Sequence, residues 1–289
     1  MKKMNKWVIV TILLCLLLPY KAFADAAVGE MIVTLGENLT NEQKNMILSE
    51  MKAPNDAEVL TVTNAEEHEY LGDYIASRLI GTKAISSSAI TLEEKGTGLK
   101  LESKNINWVS DEMYINALAT AGVKDATVYV TAPIPVSGTA ALTGVIKAYE
   151  ISADKKIPED VKQAANEEMV KTAKLGDEIG TEEASALVTK IKEEMAANPP
   201  ANTEEVREVV ESSAKDLGIA LNDDQVQSLI DLFNKLKELD IDWNAVGDQL
   251  TAAKDKLSNF LESEEGQSFL DKLKEVFSSL IDAIKSLFS

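Results

Sequence analysis

The sequence predicts an α+β or α/β fold, with an N-terminal mixed sheet carrying helices and an all-helical C-terminal region arranged as an antiparallel bundle. Three observations predict it. Short β-like runs alternate with helical stretches from Asp25 to Ser152. From Ala153 onward strand signals disappear and apolar residues recur at spacings of three and four. The composition, 45% hydrophobic and 27% charged over 289 residues, is that of a chain that buries a core, and the length suggests roughly two domains.

The elements follow in order. Met31–Leu35 is a short apolar run, and Thr40 with Gln43 forms a capping box that opens a helix. Glu58–Thr63 alternates as a strand does. Asn64 with Glu67 reads as a second cap, opening a helix to about Ile80. Lys83–Glu93 and Gly98–Ser103 flank a turn-like Glu94–Thr97 and read as a β-hairpin. Ser110 opens a helix that ends near Gly122. Ala126–Ala132 is the most strand-like segment, and Pro133 and Pro135 end it. Gly138-Thr139 leads into a helix to Ser152.

The helical region then begins, with Pro158 at the first position of a polar helix. Thr181-Glu182-Glu183 opens another helix, and Asn198-Pro-Pro-Ala-Asn202 is the clearest linker. The helix from Thr203 ends near Gly218. Asn222 with Gln225 caps a helix bearing Val226, Leu229, Ile230, Phe233 and Leu236 on one face. Asp242 caps a helix with Val246, Leu250, Ala253, Leu257 and Phe260. The last helix, Ser268–Phe288, is the strongest amphipathic element, with a charge-balanced polar face. It reads as a bundle element, with partner binding or oligomerisation as the alternative and membrane-surface association third. The boundaries are therefore 1–24, 25–152 (mixed α/β), 153–202 (polar helices and the linker) and 203–289 (helical bundle).

Residues 1–24 read as a secretory signal. Lys2, Lys3 and Lys6 precede the apolar Trp7–Leu18, and Ala22-Phe23-Ala24 is a small-x-small cleavage site. The apolar run is short for a membrane span, which needs ~20 residues. Leu14 before Cys15 argues against a lipoprotein signal. Cleavage removes four lysines, taking the net charge from −19 to −23, and with them the sole cysteine. The mature chain then has no disulfide, no cysteine nucleophile and no thiolate metal site. Arg78 and Arg207 are the only arginines and no basic stripe exists, so nucleic acid is not an expected partner. No second long apolar run follows the signal, so no stable membrane span is expected in the mature chain.

The motif Leu35-Gly-x-x-Leu39-Thr-Asn-Glu-Gln43 is echoed at Leu217-Gly-x-x-Leu221-Asn-Asp-Asp-Gln225, a shared helix-start idiom. Three further stretches are distinctive. They are Asn105-Ile-Asn-Trp-Val109 with Tyr114–Gly122, Ala126–Pro133 with Val136–Gly144, and Leu239-Asp-Ile-Asp-Trp243. With the Leu35–Gln43 motif they resemble the bacterial secreted family called domain of unknown function 1002, from about residue 28 to about 255. The resemblance implies export from Gram-positive-type bacteria. It supplies no activity and no catalytic residues.

Recognisable chemistry is sparse. His68 is the only histidine, so no multi-histidine zinc site and no HExxH pattern exist, and no G-x-S-x-G elbow accompanies it. Ser-x-x-Lys occurs at Ser49–Lys52, Ser152–Lys155 and Ser212–Lys215, without the Ser-Asp-Asn and Lys-Thr-Gly elements that penicillin-recognising enzymes need. Asp240–Asn244 begins as a calcium loop does, but Ala245 and Thr251 stand where glycine and glutamate are required, which leaves Asp242 as a helix cap. Gly138-Thr-Ala-Ala-Leu-Thr-Gly144 is not a phosphate loop, because five residues separate its glycines and Val145 follows. Its small residues read as allowing close helix–sheet packing. Ser137, Gly138 and Thr139 are nevertheless the best candidate ligand loop, at the carboxyl end of the strongest strand and at a helix N-terminus.

No catalytic residue, cofactor or metal is expected. The leading expectation is a secreted, non-enzymatic extracellular or cell-envelope binding protein with an unknown protein or envelope partner. The alternatives are a wall-polymer hydrolase using Asp/Glu acid–base chemistry, and self-assembly through residues 268–288.

Overall fold

A computed structural model describes residues 28–262. The signal segment and the Ser268–Phe288 helix lie outside the described residues. Five strands form one mixed sheet: β1 (Met31–Gly36), β2 (Glu58–Val62), β3 (Ser87–Leu92), β4 (Leu99–Ile106) and β5 (Ala126–Val136), in the order β2-β1-β3-β5-β4. β1 pairs parallel to β2, and β4 parallel to β5. β3 runs antiparallel to both β1 and β5.

The helices are α1 (Asn41–Glu50), α2 (Asn64–Leu71), α3 (Ser77–Ile80), α4 (Asp111–Thr120), α5 (Thr139–Ser152), α6 (Glu159–Ile179), α7 (Thr181–Ala197), α8 (Thr203–Asp216), α9 (Asp223–Glu238), α10 (Trp243–Gln249) and α11 (Thr251–Glu262). α1 links β1 to β2 and α4 links β4 to β5, the crossover that a parallel pair requires. The α+β expectation therefore holds, with a helical region following the sheet.

Side chains alternate across the sheet, as the period of two demands. Val33, Leu35 and Ala89 pack with Leu39, Ile47 and Met51 beneath α1. Ile32, Ile90, Val128 and Val130 face the opposite way, into the main core with α4, α5 and part of α6. A second core joins α6 and α7 to α8 and α9 through Leu187, Ile191, Val206, Ile230 and Phe233.

Four elements differ from their sequence reading. β3 and β4 do not form a hairpin, because β5 lies between them and takes both their inner edges. The intervening loop must span two strand spacings, and Asp125 ties it down: its Oδ1 accepts from the Gly96 and Gly98 amides at 2.9 and 3.0 Å. β5 also runs through Pro133 and Pro135 to Val136. Its pairing with β3 ends at Thr131, so beyond that point only β4 needs bonding partners and the missing N–H groups are tolerated. The helix expected to reach Ile80 stops at Leu71 and resumes as α3. Its cap is Thr63 with Glu66, one residue earlier than the Asn64–Glu67 reading, because β2 ends at Val62. The helix expected from Asp242 to Phe260 divides at Leu250 into α10 and α11.

The other caps stand as read. Thr40 with Gln43 and Asn222 with Gln225 form matching capping boxes, and Ser110 and Asp242 cap α4 and α10. Pro158 is itself the N-cap of α6, one position before the first helical residue.

α4 is buried on every side from Met113 to Thr120, between the sheet and α6/α7. Its three polar side chains, Tyr114, Asn116 and Thr120, therefore need internal partners. Asn116 donates to Thr189 Oγ1 at 2.9 Å. Thr120 donates to Glu168 of α6, and Lys192 of α7 completes the group. The Lys192 ammonium donates to the Asn116 carbonyl (2.6 Å), Thr120 Oγ1 (2.6 Å) and Glu168 Oε1 (2.8 Å). Both ion-pair side chains are almost wholly inaccessible, at 0% and 1% exposure. Burial pulls the Lys192 amine below its ordinary pKa, against the attraction of Glu168.

Two predictions follow from these contacts. Lys192→Met leaves the Glu168 carboxylate buried without its counter-charge and is expected to cost about 3–5 kcal/mol in urea unfolding. The double variant Lys192→Met/Glu168→Leu is expected to recover most of that loss. On the α1 face, the Tyr129 hydroxyl donates to Glu50 Oε1 at 3.0 Å. Burial and the adjacent carboxylate push the Tyr129 phenol up to about 12. Glu50→Gln is expected to return this transition toward ~10 in an alkaline absorbance titration, with Tyr129→Phe identifying it. An unchanged midpoint would exclude Glu50 as a cause.

Candidate ligand cleft

α5 positions the site. Its N-cap, Gly138, is left-handed (φ +94°), and the Tyr114 hydroxyl of α4 donates to the Gly138 carbonyl. A Cβ at residue 138 would stand 2.3 Å from the Tyr114 oxygen and 2.6 Å from Ile106 Cγ2, so only glycine fits. Nearly two turns on, Gly144 presses against β1 and β3, and its carbonyl accepts from Thr34 Oγ1 at 3.0 Å. The small residues of this segment do let the helix lie close to the sheet.

The sequence-predicted loop meets α2 here. Thr139 Oγ1 donates to Glu67 Oε1 at 2.7 Å and lies 3.2 Å from Ser137 Oγ. Asn64 Nδ2 donates to Glu67 Oε2 at 3.2 Å. Gly138 and Thr139 are buried and Ser137 is half-buried. The carboxyl group at this helix N-terminus thus belongs to the chain itself. Glu67 is 3% exposed, and burial raises its pKa despite the bonds from Thr139 and Asn64.

From Thr139 the polar face of α5 continues through Thr143 and Lys147 to Glu150, along one helical stripe. With α2 and α6 it encloses a cleft of about 160 Å³, lined by Glu66, Tyr70, Thr143, Ile146, Lys147, Glu150, Lys162 and Asn166. Two ion pairs border it: Lys147–Glu66 at 2.7 Å and Lys162–Glu150 at 3.7 Å. Lys162 also reaches Glu159 at 3.0 Å, and its amine lies 5.6 Å from the Tyr70 ring centre. Burial opposes ionisation of Glu66, but Lys147 and Thr63 outweigh it and hold the pKa low. Two lining residues carry buried oxygens with no partner among the described residues, Thr143 Oγ1 and Asn166 Oδ1. The Asn166 amide orientation is set by its Nδ2, which donates to the Lys162 carbonyl at 2.8 Å.

The remaining sequence candidates have structural roles. His68 Nε2 lies 3.0 Å from the Gly81 carbonyl, tying α2 to the end of α3. Ser152 and Ser212 donate to the carbonyls of Ala148 and Val209 in their own helices. Asp242 accepts from the Ala245 amide at 3.1 Å as the cap of α10. Among the described residues no group of three or more His, Cys, Asp or Glu is arranged to hold a metal ion, and no helix is long and apolar enough to cross a membrane.

The sequence-predicted Ser137, Gly138 and Thr139 adjoin the cleft through α5 but do not line it, and sequence reasoning missed the residues that do: Glu66, Tyr70, Thr143, Lys147, Glu150, Lys162 and Asn166. The available signal was the Thr139–Thr143–Lys147 spacing on an otherwise apolar helix.

A titration test follows from Glu67. Its folded pKa lies above the unfolded one, so the fold favours the protonated form. Its contribution to stability is full below the unfolded pKa near 4.5 and is lost as pH rises through the folded value. Glu67→Gln keeps an acceptor for Asn64 and offers a donor to Thr139. This variant is expected to be at least as stable as wild type at pH ~7 and to flatten the fall in stability above the unfolded carboxyl pKa. Denaturant midpoints across that range measure it; parallel wild-type and variant curves would rule out Glu67 as the source.

Comparison with known proteins adds family membership. No solved structure matches the chain. It is 54% identical over 289 residues, all of both chains, to "Uncharacterized protein YpuA" of Bacillus subtilis (strain 168). Residues 35–253, from the end of β1 into α11, match the family described as "Protein of unknown function (DUF1002)", and the chain belongs to that family.

Proposed function

We propose that this protein is an exported binding protein of the extracellular space or cell envelope, which holds a small polar ligand in the α2/α5/α6 cleft without chemically changing it. One observation carries the reading. The charged groups at the rim of the cleft are ion-paired, yet two of its lining residues have buried oxygens that no group among the described residues satisfies. An unmade buried hydrogen bond costs roughly 1–3 kcal/mol, which a ligand donor would offset. The basic n-region, apolar run and Ala22-Phe23-Ala24 motif support export.

A second reading, wall-polymer hydrolysis by acid–base chemistry, is favoured by the raised pKa of Glu67 beside the cleft. Against it, both Glu67 oxygens accept hydrogen bonds and the residue is sealed beneath α5.

The test pairs location with binding. Fractionation with N-terminal mass analysis is expected to find a species beginning at Asp25. The purified protein is expected to gain thermal stability in a low-molecular-mass envelope extract, and Lys147→Met to lose that gain. Absence of any Lys147-dependent gain would overturn the binding reading. Release of soluble fragments from purified wall by wild type, but not by Glu67→Gln, would establish the hydrolase instead.

A further inference from the structure

We propose a second binding site: the cleft between the end of α4, the start of α6 and α10 takes a small carboxylate with a short apolar body, held by Gln249 Nε2 under the positive charge of Lys155 and Lys156. This cleft, of about 210 Å³, shares no lining residue with the α2/α5/α6 cleft, so the proposal stands apart from the binding reading above.

Gln249 supplies the polar anchor. Its side chain is buried, at 5% exposure, and its Oε1 accepts from the Asp125 backbone amide at 2.7 Å, which fixes the orientation of the carboxamide. Asp125 lies outside the lining, so the polar group that Gln249 presents to the cleft is Nε2. That nitrogen only donates, and it has no acceptor among the described residues. Unlike the Thr143 and Asn166 oxygens, it is not sealed from solvent. A pair of free donors calls for an acceptor and turns away an ammonium. Charge selects the same way. Three lysines and two aspartates line the cleft, a surplus of one positive charge in a chain whose net charge is −19. Lys124 and Asp242 pair with each other at 3.3 Å. The exposed Lys155 and Lys156 have no ion pair among the described residues, and Asp240 offsets only one of them. A monoanion therefore balances the lining and leaves the Lys124–Asp242 pair intact.

The walls specify the rest of the ligand. Ala121, Val123, Ile157, Val161 and Val246 are buried apolar side chains that face this cleft. A bare inorganic anion leaves them wet, whereas a carbon chain covers them. At ~30 Å³ for a water's share of liquid volume, 210 Å³ admits about seven heavy atoms, the size of pentanoate.

The experiment is an amide-resolved NMR titration of the purified protein with pentanoate, pentylamine, acetate and inorganic phosphate. Pentanoate is expected to shift the Gln249 side-chain amide and the backbone amides of Lys156, Ile157 and Val246. Acetate lacks the apolar body and pentylamine carries the opposite charge; each is expected to bind about tenfold more weakly or worse. Gln249→Glu keeps the acceptor for the Asp125 amide but removes both donors. Lys155→Met/Lys156→Met removes the counter-charge at an exposed margin, where the fold does not depend on it. Each variant is expected to weaken pentanoate by about tenfold.

Pentanoate binding that either folded variant leaves unchanged would overturn the site. Shifts confined to residues 143, 147, 162 and 166 would put the carboxylate in the other cleft and overturn this one. Acetate or phosphate binding as tightly as pentanoate would overturn the apolar body, and pentylamine binding as tightly would overturn the anion. Absence of saturable binding by every probe would overturn the proposal, while the α2/α5/α6 cleft keeps its own test in the Lys147-dependent gain of stability.

Discussion

The architecture depends on satisfying a helix that water cannot reach. α4 lies between the sheet and the α6/α7 pair, and its polar groups must find partners inside the protein. Lys192 answers that requirement with its full complement of donors. One hydrogen goes to a main-chain carbonyl of α4, one to the Thr120 hydroxyl and one to Glu168. Three helices are thereby held in one register by a single side chain. Apolar packing alone tolerates sliding by a methyl group. A charged pair at zero exposure does not, since any slip leaves an ion without its partner.

That fixed frame is what lets α5 serve two masters. One side, with Ala141, Gly144, Val145 and Ala148, faces the sheet and the core. Another carries Thr139, Thr143, Lys147 and Glu150 toward α2 and α6. Residue size decides the arrangement. Small side chains on the sheet side bring the helix axis close enough for Tyr114 to reach the Gly138 carbonyl. The polar side then stands opposite α6 across a gap that Tyr70 and Lys162 only partly fill.

Much of the fold was legible because it rests on local rules. Capping boxes at Thr40 and Asn222 depend on residues three apart, and the strand–helix order depends on hydrophobic period. What was illegible depends on distant partners. The pairing of β3 with β5 rather than β4 is a choice among non-adjacent strands. The cap at Thr63 differs from one at Asn64 by a single position, yet that step frees Glu67 from capping and turns it into the core. Lys192 and Glu168 carry no mark in the sequence, since pattern alone does not tell a buried ion pair from two surface charges. The cleft assembles from α2, α5 and α6, separated by up to a hundred residues, so the sequence reading stopped at Ser137–Thr139 and did not reach the lining itself.

The central position of β5 also bears on how the chain acquires its shape. β3 and β4 are neighbours in sequence but share no bonds, and both wait for residues 126–136 to slide between them. No local zipper can start that half of the sheet. For that half, loop closure must precede any gain from strand pairing. A nascent chain can pair β2, β1 and β3 once residue 92 has been made, but β4 cannot join the sheet until residues 126–136 follow.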